Sequence, residues 1–236
     1  ATDAAKATTA PVAATNPMDY LNATRAETMI FDQPYKLTAP DNWNPYTPAN
    51  SFGWGMSEVG TDGLMYLNFG DGKYIMWMAE SYGSNADSTV WTLTLRKGIT
   101  WNDGTPFTTD DILYSINLQI KNEKLGNHFY WVEWLDKMDK VDDLNVKFDL
   151  NQVYTLADIL IGGVRIVPEH IWKDVADPSK STNDNPVGTG PFTQITSFQA
   201  QAYQVDKNPN YWQPGKPYFQ SIRMLAFGSN DVFNLA

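Results

Sequence analysis

The 236-residue chain has no cysteine and only two histidines. The first absence excludes disulfides, thiolate catalysis and any Cys-based metal site. The second leaves His128 and His170 with no ligand spacing around them, so no metal or other cofactor is expected. Basic residues are also scarce. Against 27 Asp and Glu stand 17 Lys and Arg, a formal net charge of −10. Nucleic-acid binding needs a basic surface to replace phosphate counterions, so nucleic acid is excluded as a partner. Docking on anionic lipid is disfavoured for the same reason, and the acidity serves solubility. No apolar run approaches the roughly eighteen residues of a membrane span. G-x-S-x-G, H-E-x-x-H and P-loop patterns are missing.

Aromatic side chains, in contrast, abound: 9 Trp, 12 Tyr and 11 Phe. Many sit beside Asn, Gln, Thr and Gly rather than in apolar runs. Trp and Tyr pair a flat apolar face with a polar edge, which suits a polar ligand with apolar faces, a sugar above all. Large folds also fill their cores with aromatics, so composition leaves both uses open.

The most informative stretch is residues 90–118. Trp91, Leu93 and Leu95 alternate with Thr92, Thr94 and Arg96, which puts three apolar side chains on one face of a strand. Lys97-Gly98 predicts a tight turn and Ile99–Trp101 a short return strand. Thr108 is placed as a helix N-cap with Asp111 as its reciprocal partner, and Asp110 and Asp111 suit the positive end of the helix. Ile112, Ile116 and Ile120 recur at helical spacing, with Gly126 as the expected stop.

The run W-T-L-T-L-R-K-G-I-T-W-N-D-G-T-P-F-T-T-D-D-I resembles the hallmark segment of the family 5 solute-binding proteins of ABC transporters, the dipeptide, oligopeptide, nickel and oligosaccharide receptors. N-P-V-G-T-G-P-F at 185–192, I-V-P-E-H at 166–170 and K-N-P-N-Y-W-Q-P-G-K-P at 207–217 are similar to further segments of that family. The resemblance implies an α/β fold with mixed sheets, a periplasmic-binding-protein-like lobe (type II, cluster C) with an inserted small domain. It divides the chain into a linker over 1–15, a discontinuous first lobe over 16–56 and 166–236, and an inserted domain over 57–165. It covers about the N-terminal half of such a receptor. The chain is then either a fragment or pairs with something else, and the lobe that closes over ligand lies outside it.

Along the chain, residues 1–15 are Ala- and Thr-rich and read as a disordered linker; in the family such a stretch often tethers the receptor to a membrane anchor. Asn22-Ala23-Thr24 is a formal glycosylation acceptor. Thr28–Leu37 predicts a strand. Residues 38–55 hold three Pro and two Gly, which excludes regular structure, yet they carry large aromatics. Asn44-Pro45 matches the loop that borders the ligand cleft in the family, making Trp43, Asn44, Asn50, Phe52 and Trp54 the first cleft candidates. Tyr130, Trp131 and Trp134 form a second aromatic group, on either a strand or a helix start. Leu144, Val146, Phe148 and Leu150 predict a half-buried strand, Thr155 a cap for a helix through Ile161, and Pro168 the start of a helix over 169–175. Gly188 and Gly190, around Thr189, permit close backbone approach; without a following Lys-Ser/Thr they make no P-loop.

The resemblance implies the extracytoplasmic substrate-binding component of an ABC importer, membrane-anchored in its periplasmic or cell-surface setting, with permease subunits as partners and no catalysis. The Asn- and Trp-rich loop favours an oligosaccharide over an oligopeptide. A two-carboxylate glycosidase needs no fixed spacing and stays open on sequence alone. A structural cell-surface protein is the reading from a different class.

Overall fold

The computed structural model describes residues 24–33, 42–47, 57–199 and 202–226. The linker over 1–15, Asn22, and Asn50, Phe52 and Trp54 lie outside the described residues.

Ten strands and five α-helices are arranged in mixed α/β fashion among the described residues. One four-stranded sheet is drawn from the two ends of the chain, in the order β1-β10-β9-β8. Its members are β1 (Thr28–Gln33), β8 (Phe192–Gln199), β9 (Ala202–Lys207) and β10 (Ser221–Ala226). β1 runs parallel to β10, and the other two pairs are antiparallel. Trp43, Phe192, Tyr203, Val205, Ile222 and Met224 form its core.

The second four-stranded sheet is wholly antiparallel, in the order β4-β5-β7-β6. It comprises β4 (Ala79–Ser84), β5 (Val90–Leu95), β6 (Leu135–Lys140) and β7 (Asn145–Leu150). Alternation along β5 and β7 buries Leu93, Leu95, Val146 and Phe148 against α2 (Thr109–Lys121), whose Ile112 and Ile116 are fully buried. Between the sheets lie α1 (Ser57–Gly60) and a hairpin of β2 (Met65–Asn68) with β3 (Lys73–Met76).

The expected capping box at α2 forms. Thr108 Oγ1 accepts from Asp110 N at 3.2 Å, and Asp111 Oδ2 accepts from Thr108 N at 3.0 Å. Asp111 reaches further, accepting from Glu169 N at 3.0 Å and Trp101 Nε1 at 3.3 Å. One carboxylate thus joins the hallmark loop, the long helix and α5 (Glu169–Trp172).

Four expectations need correction. Ile99–Trp101 does not return along β5, because β4 and β7 already occupy both edges of that strand. It closes on residues 105–107 instead, through a Thr100–Pro106 bridge and Trp101 N donating to Thr105 O at 2.8 Å. Gly98 still takes φ +80°, as the turn requires. Next, α2 ends before Gly126: the Asn122 amide donates to Leu118 O at 2.7 Å and so caps the helix C-terminus. Thr155 caps nothing, since α4 (Ala157–Gly162) starts after Leu156 with no side-chain cap. Finally, the helix after Pro168 is a single turn, α5, rather than a segment reaching Val175.

Candidate functional site

Three distant segments meet where the two sheets join, and glycine makes the meeting possible. A Cβ on Gly188 would stand 1.9 Å from Gly60 O, and one on Gly190 would stand 2.4 Å from Val59 O. No side chain fits either gap. Gly190 N donates to Gly60 O at 3.0 Å, and Asp62 N donates to the buried Thr189 Oγ1 at 3.1 Å. The third segment docks through Asn208, 1% exposed, whose amide donates to Gly190 O at 2.9 Å.

These contacts fix the turn Gly60–Gly63 and aim the Asp62 carboxylate at a cluster of rings. Trp212 Nε1 donates to Asp62 Oδ2 at 2.7 Å. Trp77 meets Trp212 edge-on at 6.1 Å and Tyr66 edge-on at 5.7 Å; Tyr211 lies tilted against Trp212 at 5.8 Å. Tyr66 Oη in turn accepts from Gly63 N at 2.8 Å.

A cleft of about 540 Å³ opens beside this cluster. Asp62, Tyr66, Trp77 and Tyr211 line one part, Pro45, Val164 and Arg165 another. Arg165 is tied to the wall by Nη1 donating to Pro45 O at 2.7 Å. The volume falls within the range of small-molecule sites, and the lining has their usual character of apolar faces with a few polar groups. A second groove of about 490 Å³ shares Pro45 and Arg165 with it and runs on to Lys124 and Asn127.

Electrostatics inside the cleft follow from burial. Desolvation raises the Asp62 carboxyl above the usual carboxylate range, opposed by hydrogen-bonding interactions from Trp212, Trp77 and Tyr211. Burial and then the Asp62 charge push the Tyr211 phenol up, so it stays neutral and able to donate.

Of the candidates read from the sequence, Trp43 is 4% exposed in the core of the first sheet, its backbone N donating to Thr182 O at 2.7 Å. Asn44 is fully buried; its amide donates to Pro178 O at 2.7 Å and Ser181 O at 2.8 Å, and its Oδ1 accepts from Tyr46 N at 2.9 Å. Trp131 is 1% exposed, with Nε1 donating to Gln119 Oε1 at 3.3 Å. Trp134 stacks on Tyr154 at 4.3 Å, and Tyr130, exposed on α3 (His128–Trp134), meets Phe129. None of these five lines the cleft. In the 42–47 loop it is Pro45 that reaches the cleft, because its polar neighbours turn inward to satisfy buried carbonyls.

The residues that gather at the cleft and that the sequence did not single out are Asp62, Tyr66, Trp77, Arg165 and Tyr211. The glycine pairs in G-T-D-G and G-T-G carried the signal, since they force Asp62 against the segment that bears Tyr211 and Trp212. The adjacent carboxylates Asp110-Asp111 and Asp142-Asp143 have structural partners. Asp111 caps α2, Asp110 pairs with Lys140 at 2.6 Å, and Asp142 accepts from Leu144 N at 2.8 Å in its turn. His170 pairs with Asp103 at 2.7 Å, and His128 Nδ1 lies 2.9 Å from Gln119 O. No group of three or more metal-ligating side chains occurs among the described residues.

The model of the family described as bacterial extracellular solute-binding proteins, family 5 middle, matches residues 73–236. A glutathione-binding protein, GsiB, of Shigella flexneri serotype 5b is 31% identical over 161 residues, which cover 66% of this chain and 30% of that protein. A probable ABC transporter-binding protein of Deinococcus radiodurans is 29% identical over 183 residues, covering 68% of this chain and 31% of the relative. Among solved structures, a mannohexaose-bound periplasmic oligopeptide-binding protein of Thermotoga maritima superposes with a TM-score of 0.80 at 27% identity, over 90% of this chain and 40% of that one. The oligopeptide-binding protein AppA of Bacillus subtilis, solved with a nonapeptide, shares the fold with a TM-score of 0.74 at 18% identity, over 88% of this chain and 41% of that one. The chain spans less than a third of the length of these curated relatives and about two fifths of these solved structures.

Proposed function

The chain belongs to the bacterial extracellular solute-binding proteins of family 5, and from that premise we propose that it is part of the substrate-capturing component of an ABC importer. It works outside the cytoplasm, holds an elongated polar ligand in the cleft beside Asp62, and delivers it to permease subunits. A membrane tether keeps the protein near that permease. No catalysis is proposed.

The ligand in this reading is an oligosaccharide. The observation that carries it is the lining of the cleft: Tyr66, Trp77 and Tyr211 supply flat apolar faces, and Asp62 and Arg165 supply an acceptor and a donor. Pyranose rings present an apolar face and a rim of hydroxyls, which matches that mixture. The mannohexaose held by the Thermotoga maritima protein, at 27% identity, supports the same choice.

A peptide is the second reading, favoured by the glutathione-binding relative at 31% identity. Peptides bind largely through backbone hydrogen bonds, which the edge of the β2–β3 hairpin beside the cleft could provide.

Mass spectrometry of small molecules released on denaturing the purified full-length protein separates the readings. A hexose series supports the sugar. A peptide mixture replaces it with the second reading. Release of nothing, together with no heat of binding to mannohexaose or to a hexapeptide, counts against a receptor and favours a structural surface role.

A further inference from the structure

We propose that Asp62 is the positioning residue of the cleft: its carboxylate, anchored on Trp212, sets the aromatic wall of Trp77 and Tyr211 on which a ligand ring lies. This rests on the reading of the cleft as the ligand site and says which residue makes that site competent.

Asp62 is 5% exposed, so its carboxylate must find donors within the protein. The donors around it are aromatic. Trp212 Nε1, at 2.7 Å, makes a short charge-assisted bond. Trp77 Nε1 is buried and makes no hydrogen bond of standard geometry, although it lies near enough to the carboxylate to favour its charged form. Trp77 is therefore held by its ring contacts with Trp212 and Tyr66 and by the Asp62 charge.

The rings form a series, Tyr66–Trp77–Trp212–Tyr211, in which Trp212 is hydrogen-bonded to the Asp62 carboxylate. Asp62 itself cannot drift, because its backbone is pinned to Thr189 beside the Gly60–Gly190 contact. A rigid backbone, one carboxylate and one indole thus fix the orientation of the whole wall. Removing the charge frees Trp212, and Trp77 and Tyr211 lose their register with it.

The titratable and charged groups that line the cleft with Asp62 are the Tyr66 phenol from β2, the Tyr211 phenol from the 208–212 loop, and Arg165. Tyr211 stays neutral throughout the acid range. Acidification discharges Asp62, and does so above its ordinary value because burial raises this carboxyl.

The test uses the full-length protein, with mannohexaose and a hexapeptide as calorimetric probes, and the Trp212 indole N–H resonance, assigned with Trp212→Phe. Asp62→Asn and Trp212→Phe each weaken the probe that the wild type binds by about tenfold, and the double variant is no weaker than either single one. The Trp212 resonance shifts on acidification, with the midpoint at which affinity falls, and no longer titrates in Asp62→Asn. Unchanged affinity in both variants, additive losses, or an indole resonance indifferent to pH overturns the inference. Should Asp62→Asn fail to fold, the wild-type resonance and Trp212→Phe decide. Should the wild type bind neither probe, the ligand reading fails by itself, and the pH response of the resonance still decides whether Asp62 positions the wall.

Discussion

Replacing Gly188 by alanine should unsettle both the fold and the cleft. The added Cβ would lie 1.9 Å from Gly60 O and 3.0 Å from Gly60 C. Ordinary contact is about 3.5 Å, so one backbone must retreat by well over an ångström. Overpacking of this kind costs roughly 1–3 kcal/mol. The Gly190 N–H···O bond to Gly60, 3.0 Å long, is strained by the same retreat and adds about 1 kcal/mol. The expected loss is therefore about 2–4 kcal/mol, read as a lower urea midpoint at unchanged slope. Gly83→Ala is the matched control. It lies on β4 with nothing within 4 Å of its virtual Cβ, so it should leave stability unchanged or slightly raised. Because Gly60 leads into the turn that carries Asp62, Gly188→Ala should also weaken ligand binding, whereas Gly83→Ala should not. A Gly188→Ala variant within about 0.5 kcal/mol of wild type would refute the close-approach argument.

Asp111→Ala strips the buried Trp101 Nε1 and the part-buried Thr108 N and Glu169 N of their acceptor and should cost about 2–4 kcal/mol in chemical denaturation, while Asp110→Ala on the exposed side of the same turn should cost under about 1 kcal/mol. Asp103 should shape the acid limb of stability. Partial burial pushes its carboxyl up, but hydrogen bonds from Thr105 and His170 outweigh that and hold it below the usual value of 3.8. The folded form is thus favoured above that value, and the contribution disappears as pH falls through the lower folded pKa. Asp103→Asn should flatten that part of a stability-against-pH curve, and an unaltered curve would remove the pair from the account. Trp77→Ala should weaken ligand binding by about 2 kcal/mol through lost apolar contact, measured by calorimetry. In the same assay Trp134→Ala, which unstacks Tyr154 away from the cleft, should leave the affinity of the folded protein unchanged.

What the sequence made legible was whatever is set locally. The Thr108–Asp111 capping box, the buried face of Ile112 and Ile116, and the alternation over residues 144–150 depend on a few neighbouring residues, and all are present. Misreadings arose where a distant strand decided the outcome. Ile99–Trp101 has the composition of a return strand, but β7, more than forty residues on, takes the edge it needed. The cleft beside Asp62 was hidden for the same reason. Asp62 hydrogen-bonds Trp212 across a separation of 150 residues, and Arg165 reaches Pro45 across 120. Trp43 and Asn44 have the chemistry of ligand contacts, yet the loop uses Asn44 to satisfy three backbone groups. Residue type alone could not separate these uses, because a buried carbonyl and a ligand hydroxyl make the same demand of an amide.

The central claim is that ligand lies on the aromatic wall beside Asp62. A crystal structure of the full-length protein with the ligand it retains through purification tests this most directly. A ligand ring is expected within about 4.5 Å of Trp77 or Tyr211, with a polar group directed at Asp62 or Arg165. Ligand seated over Tyr130 and Trp134 on α3, with the Asp62 cleft filled only by solvent, would contradict it.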